Sequence, residues 1–244
     1  MNILYIAFIG YLGFTVGPAR VEKNLVGAET VTEIFEVQNL TDDSLRIRVE
    51  FEDFDIDRSG SVTFHEGGYL SNSLAPRAVI NPEEFFIPPK NIERVRVTFQ
   101  LSRSSDIPEY YGMLMIKSLP IPTRYSPTIA VAGEIGVPIY YMIPEHAERN
   151  ASFDSLILDN HTLEAVISNI GNVHLRINGE VVVSTFDDRI MHRDSLPEFV
   201  VLPRKQRKLM IPIEEVLDPG MYKAKIILDY GAIELLVGER RFQK

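Results

Sequence analysis

The feature that most constrains this chain is a period of two. In "SLRIRVEFEDF", Leu45, Ile47, Val49 and Phe51 alternate with Arg46, Arg48 and Glu50. Successive side chains of an extended strand point to opposite faces, so this row makes a strand with one apolar face and one charged face. "TEIFEVQN", carrying Ile34, Phe35 and Val37, precedes it, and "NLTDD" (Asn39 to Asp43) is the polar turn between the two. The pattern returns in "RVRVTFQL", "YYGMLMIKSL" and "TIAVAGEIGVPIYYM". It restarts after "PEHAERNAS" with "SLILD", "TLEAVISN", "HLRINGEVVVST", "FVVL", "RKLMIPI", "YKAKIILDY" and "IELLVGE". No stretch carries a helical stripe. Short strands parted by Gly, Pro, Asn and Asp turns predict an all-β fold of sandwiches. At 244 residues and 45% hydrophobic composition, the chain has room for two cores, each of about 100–120 residues. The one extended polar linker, at residues 145–151, divides it into 13–147 and 148–244.

"DIDRSGSVTFHE" (Asp55 to Glu66) places Asp55, Asp57 and Ser59 at positions one, three and five of a calcium loop, Gly60 at six and Glu66 at twelve. Such a loop is held between two helices. Here the residues before Asp55 alternate as a strand, and "SVTFHE" can pair back as the next. The stretch therefore reads as a hairpin whose turn is Asp57-Arg58-Ser59-Gly60, with Gly60 supplying positive φ. That reading rejects a calcium sensor.

The apolar run "ILYIAFIGYLGFTV" (Ile3 to Val16) is uncharged. A membrane-spanning helix needs about twenty such residues, so no permanent membrane anchor is expected. Its length suits the apolar core of an export signal, and residues 1–12 are read as one, with a buried first strand as the alternative. The net charge of −9, with basic residues scattered, lacks the positive face that nucleic acid requires. The absence of Cys removes disulfides, thiolate nucleophiles and cysteine zinc sites together. The five histidines show no metal-ligand spacing, and no nucleophile or phosphate-loop motif occurs. The expectation is a non-enzyme without cofactor or metal.

Four stretches together resemble the PapD-like periplasmic pilus (fimbrial) assembly chaperones, as a divergent two-domain member. They are Gly13 to Phe54, "INPEEFFIPPKNIERVRVTF" (Ile80 to Phe99), "EYYGMLMIKSLP" (Glu109 to Pro120) and "TIAVAGEIGVPIYYMIP" (Thr128 to Pro144). "SNIGNVHLRINGEVVV" and "LDPGMYKAKIILDYG" are similar to that family's second sandwich. The resemblance implies two tandem immunoglobulin-like sandwiches and a periplasmic location. It also implies partners among pilus or surface-fibre subunits, with an outer-membrane assembly pore as a further partner. In such chaperones a strand is lent to a subunit that lacks its own last strand. The strand concerned matches Thr128 to Pro144. There Ile129, Val131, Ile135, Val137 and Ile139 share one face, interrupted by Gly133, and Ala130, Ala132, Glu134, Gly136 and Pro138 share the other. The β-branched row suits a client's apolar groove or the domain's own core, and periodicity does not choose between them. The family also holds its client's terminal carboxylate with two basic residues. Arg20 is the nearest match for the first, with Lys23 the alternative. The second should be a Lys late in the donated strand, and no Lys or Arg occurs from Ala130 through Met142. That departure leaves a second reading open, an immunoglobulin-like structural or adhesive envelope protein without chaperone activity.

Overall fold

The computed structural model describes residues 13–26, 30–102, 106–121, 132–159, 162–213 and 217–243. The chain forms two compact units, one from Met1–Phe54 with Phe64–Pro144, the other from Asp55–Thr63 with Glu145–Lys244. Among the described residues the only helical element is a single turn at Ala75–Arg77.

Ten strands, counted with the first unit except where β4 and β5 run into Asp55–Thr63, form its two sheets: β1 (Phe14–Gly17), β2 (Val21–Asn24), β3 (Thr30–Asn39), β4 (Leu45–Ile56), β5 (Val62–Glu66), β6 (Ala78–Asn81), β7 (Glu84–Ile87), β8 (Ile92–Gln100), β9 (Glu109–Leu119) and β10 (Glu134–Met142). One sheet runs β1-β3-β8-β6, and the facing sheet runs β2-β10-β9-β4-β5 with β7 also on β4. The alternation explains the sandwich. Ile47 and Val49 of β4 meet Val37 of β3 and Val95 and Val97 of β8 in one core, while Arg46 and Arg48 stay on the outer face. The "INPEEFFIPPK" approach resolves into two short strands. β6 pairs with β8 and β7 with β4, so the chain changes sheets across Pro82. It changes sheets once more near its start, where β1 pairs with β3 and β2 runs parallel to β10. Phe14, near the end of the N-terminal apolar run, is fully buried in that core. The export signal expected at residues 1–12 lies outside the described residues.

The second unit contains β11 (Ala151–Asp159), β12 (Thr162–Asn169), β13 (Leu175–Thr185), β14 (Ile190–Val201), β15 (Gln206–Pro212), β16 (Met221–Asp229) and β17 (Leu236–Gln243). Its sheets run β11-β12-β15 and β14-β13-β16-β17 around a core that includes Leu163, Ile177, Val183 and Ile226.

Each sandwich is pinned by a buried asparagine where a strand turns back. The Asn39 side-chain amide donates to the carbonyls of Asp43 (2.7 Å), Ile87 (3.1 Å) and Pro88 (3.1 Å), and its oxygen accepts from the Thr41 amide (2.8 Å). Asn169 does the same in the second unit, donating to Val173 (2.8 Å) and Val201 (2.9 Å) and accepting from Gly171 (3.0 Å). A buried carbonyl without a donor is costly, and one planar amide satisfies several at once.

The calcium-like stretch is a hairpin turn. The Asp57 carboxylate accepts from the Ser59, Gly60 and Ser61 amides at 2.8 to 2.9 Å and from the Ser59 hydroxyl at 2.7 Å. The Ser59 hydroxyl foremost, with the Ser61 amide next, holds its pKa below the ordinary 3.8. Its charge is thus committed to its own turn. Gly60 has φ +93° and lies against the Arg207 guanidinium within the second unit. Among the described residues no group of three or more acidic, His or Cys side chains is gathered around a metal-sized site.

Candidate functional site

β10 is paired unequally on its two edges. Along its whole length, Glu134 to Met142, it pairs antiparallel with β9. On the other edge β2 covers only Ile139 to Met142. Among the described residues, nothing pairs with the outer edge of Glu134–Pro138.

Which groups this edge presents follows from two hydrogen bonds. The Ser118 amide donates to the Gly133 carbonyl on the β9 side (2.8 Å), and the Leu25 amide donates to the Met142 carbonyl on the β2 side (2.7 Å). Backbone polar groups alternate along a strand. The odd-numbered residues therefore bond to β9, and the even-numbered ones, Glu134 and Gly136 among them, turn their amides and carbonyls to the open edge. Pro138 falls on an outward position, so its missing N–H removes no bond to β9. Gly136 has an equally local reason. A Cβ there would stand 3.0 Å from the Met113 sulfur and 3.2 Å from that of Met115, which lie over it.

The structure separates the residues of the expected donor row. Val137 and Ile139 are fully buried in the first unit's own core, where each completes the inner layer against β9. Their side chains are not a ridge free to enter another protein. Ile135 is half-buried and packs against the margin of that core. Ile129 and Val131 lie outside the described residues.

Of the two basic candidates, Arg20 is exposed in the segment between β1 and β2. Lys23 lies on β2 beside Tyr141 in the parallel register. Its ammonium sits 2.6 Å from the Glu33 carboxylate, which also accepts from the Tyr141 hydroxyl at 2.8 Å. Glu33 occupies a core-facing position of β3 and its side chain is only 11% exposed. Burial foremost, with this carboxylate second, pushes the Tyr141 phenol far above its ordinary range. No Lys or Arg of β10 joins Lys23; the place beside it is filled by the tyrosine.

Lys117 of β9 is a second charged centre. Its ammonium lies 2.6 Å from Glu50, 2.5 Å from Glu52 and 3.9 Å from Glu134. Burial alone would lower its pKa, but the hydrogen bonds from Glu50 and Glu52 outweigh that and hold it above the ordinary lysine range.

Sequence reading missed Glu33, Tyr141, Lys117 and Glu134. Glu33 did leave a signal, since it interrupts the inward row of Val31, Phe35 and Val37. The Lys117 cluster left none, because its members come from three strands.

No protein-family model matches the chain, and no curated protein sequence matches it. Solved structures do match in fold. The class 5 fimbriae chaperone CfaA is 15% identical with a TM-score of 0.52, over 93% of this chain and 98% of that one. A chain of a chaperone–tip adhesin complex of CFA/I fimbriae biogenesis is 13% identical with a TM-score of 0.53, over 93% and 98%. One from the CsuC–CsuE chaperone–tip adhesion subunit pre-assembly complex of the archaic chaperone-usher Csu pili of Acinetobacter baumannii is 12% identical with a TM-score of 0.52, over 93% and 97%. The chain thus has the all-β architecture that its strand pattern predicted, in the two-domain PapD-like chaperone fold that the resemblance implied.

Proposed function

We propose that this protein is a chaperone of pilus or surface-fibre subunits, exported to the periplasm and acting by strand addition along β10. One observation carries this reading: among the described residues nothing pairs with the outer edge of Glu134–Pro138, in a chain with the fimbrial-chaperone fold. An unpaired edge is a ready template for another strand. A subunit lacking one strand would gain backbone hydrogen bonds from Glu134 and Gly136. Ile135 would supply apolar contact, continued upstream by Ile129 and Val131, while Val137 and Ile139 hold the strand from within. Burial of the subunit's open core would stabilise the complex by about 25 cal/mol per Å² of apolar area. Neither nucleotide nor metal is needed for such an exchange.

The Lys23–Glu33 pair favours a different client anchor from the family's two-cation clamp, because Lys23 already has its carboxylate. Arg20, exposed between β1 and β2 and the nearest match to the family's first basic residue, is the one proposed to meet a client terminus.

The test is capture of tagged protein from its native envelope fraction, with mass spectrometry of co-purifying chains. A stoichiometric β-rich fibre subunit is expected, lost in Ile135→Asp and retained in Asp42→Ala. A preparation with nothing bound, from cells that make surface fibres, would leave the structural envelope module as the better reading.

A further inference from the structure

The open edge of β10 ends a row of charges that crosses four strands. In register, Glu84 of β7 stands beside Arg48 of β4, Arg48 beside Lys117 of β9, and Lys117 beside Glu134 of β10. All four lie on the outer face of the sheet. The inner partners are compensated. Arg48 donates to the Glu84 carboxylate at 3.1 Å, and Lys117 is held by Glu50 and Glu52. Glu134 is the poorly served member, 3.9 Å from the ammonium and 57% exposed. Around Lys117 three carboxylates face one ammonium, an excess of negative charge beside the edge where a new strand can pair. Arg46 and Arg48, on β4 two strands in from β10, are both paired with Glu84 of β7.

The geometry points to Glu134 as a charge selector: the strand that adds to β10 carries Lys or Arg on its outer face beside Glu134, and apolar residues on its inner face. This rests on the strand-addition reading and specifies its partner. Directly opposed side chains on neighbouring strands approach closely, opposite charges favour pairing and like charges oppose it. On the inner face, Ile135 and the core margin ask for apolar partners. Beside Gly136 the Met113 and Met115 thioethers tolerate varied contacts, so little selection is expected there. The same acidic end also disfavours pairing between two copies of this chain, which would bring like charges to one edge.

Two synthetic strand peptides test this on the full chain. Both have one valine face, and the other face carries Lys in one peptide and Glu in the other, so that any register places the charge near Glu134. Binding is followed by fluorescence anisotropy, and strand addition by amide hydrogen exchange at Glu134 and Gly136. The Lys peptide should bind about two- to fivefold more tightly at low salt, with the preference shrinking as salt screens it. Glu134→Gln should abolish the preference and Glu134→Lys should reverse it. Equal binding of both peptides, with the two amides protected, overturns the charge selection and leaves strand addition standing. Binding that leaves those amides exchanging freely, or no binding at all, overturns both. A self-paired dimer of the free chain through this edge would also overturn the selection.

Discussion

A single carboxylate placed at two adjacent inward positions of β10 should have very unequal consequences for stability. Val137 is fully buried between the sheets, beside Leu114 of β9. Val137→Asp forfeits about 1.5–3 kcal/mol of apolar burial, and an unpaired buried carboxylate adds several kcal/mol more. A domain of this size holds roughly 5–15 kcal/mol in all. With each kcal/mol worth about 3–5 °C, melting should fall by some 20 °C or more, or the cooperative transition should vanish. Ile135 is only half-buried, at the core margin next to the open edge. Ile135→Asp places its carboxylate at the solvent margin and loses only part of a full side chain's burial, on the order of 1–1.5 kcal/mol. That corresponds to a drop of roughly 3–7 °C. Thermal and urea melts by circular dichroism decide the matter, with client capture measured on the same preparations. Val137→Asp melting within a few degrees of the unaltered protein would refute the inward placement of this row. Collapse of Ile135→Asp would refute the edge assignment.

Asn39→Ala leaves buried carbonyls of Ile87 and Pro88 without their donor, and should cost about 1–3 kcal/mol in urea titrations; Asn169→Ala should match it in the second unit. Gly60→Ala must adopt φ +93° against the Arg207 guanidinium, and should lower stability by about 1–2 kcal/mol or more. The Asp57 pKa is depressed in the folded state, so its contribution is present above 3.8 and is lost as pH falls through the lower folded value. Asp57→Asn should therefore flatten the acid limb of a stability–pH curve measured from pH 6 to 2, and an unchanged limb would contradict the turn's role. Tyr141→Phe should destabilise by about 1.5–3 kcal/mol, as expected for a hydrogen bond to a charged acceptor.

The fold was legible because strand alternation is a local property. The row Leu45, Ile47, Val49 and Phe51 identified both the strand and its core face, and the Asp57 turn could be told from a calcium loop by its flanking strands. The short strands β6 and β7 were less visible, since "INPEEFFIPPK" alternates too briefly and is broken by Pro. For the site, the sequence identified β10 and its β-branched row but left open which face lay inward. That choice depends on β9 and on how far β2 extends, and both are relations between distant segments. The unequal cover of β10, ending at Ile139, has no trace in any one stretch. Nor does the meeting of Lys117 with Glu50, Glu52 and Glu134, whose spacing is spatial.

The central claim, strand addition at β10, is tested most directly by amide hydrogen exchange on the protein captured with the fibre subunit proposed as its client. The account predicts that the Glu134 and Gly136 amides, turned to an open edge in the free chain, become protected in the complex while those of Ile135 and Val137, already bonded to β9, change little. A complex that forms with Glu134 and Gly136 still exchanging at their free-chain rates would contradict it.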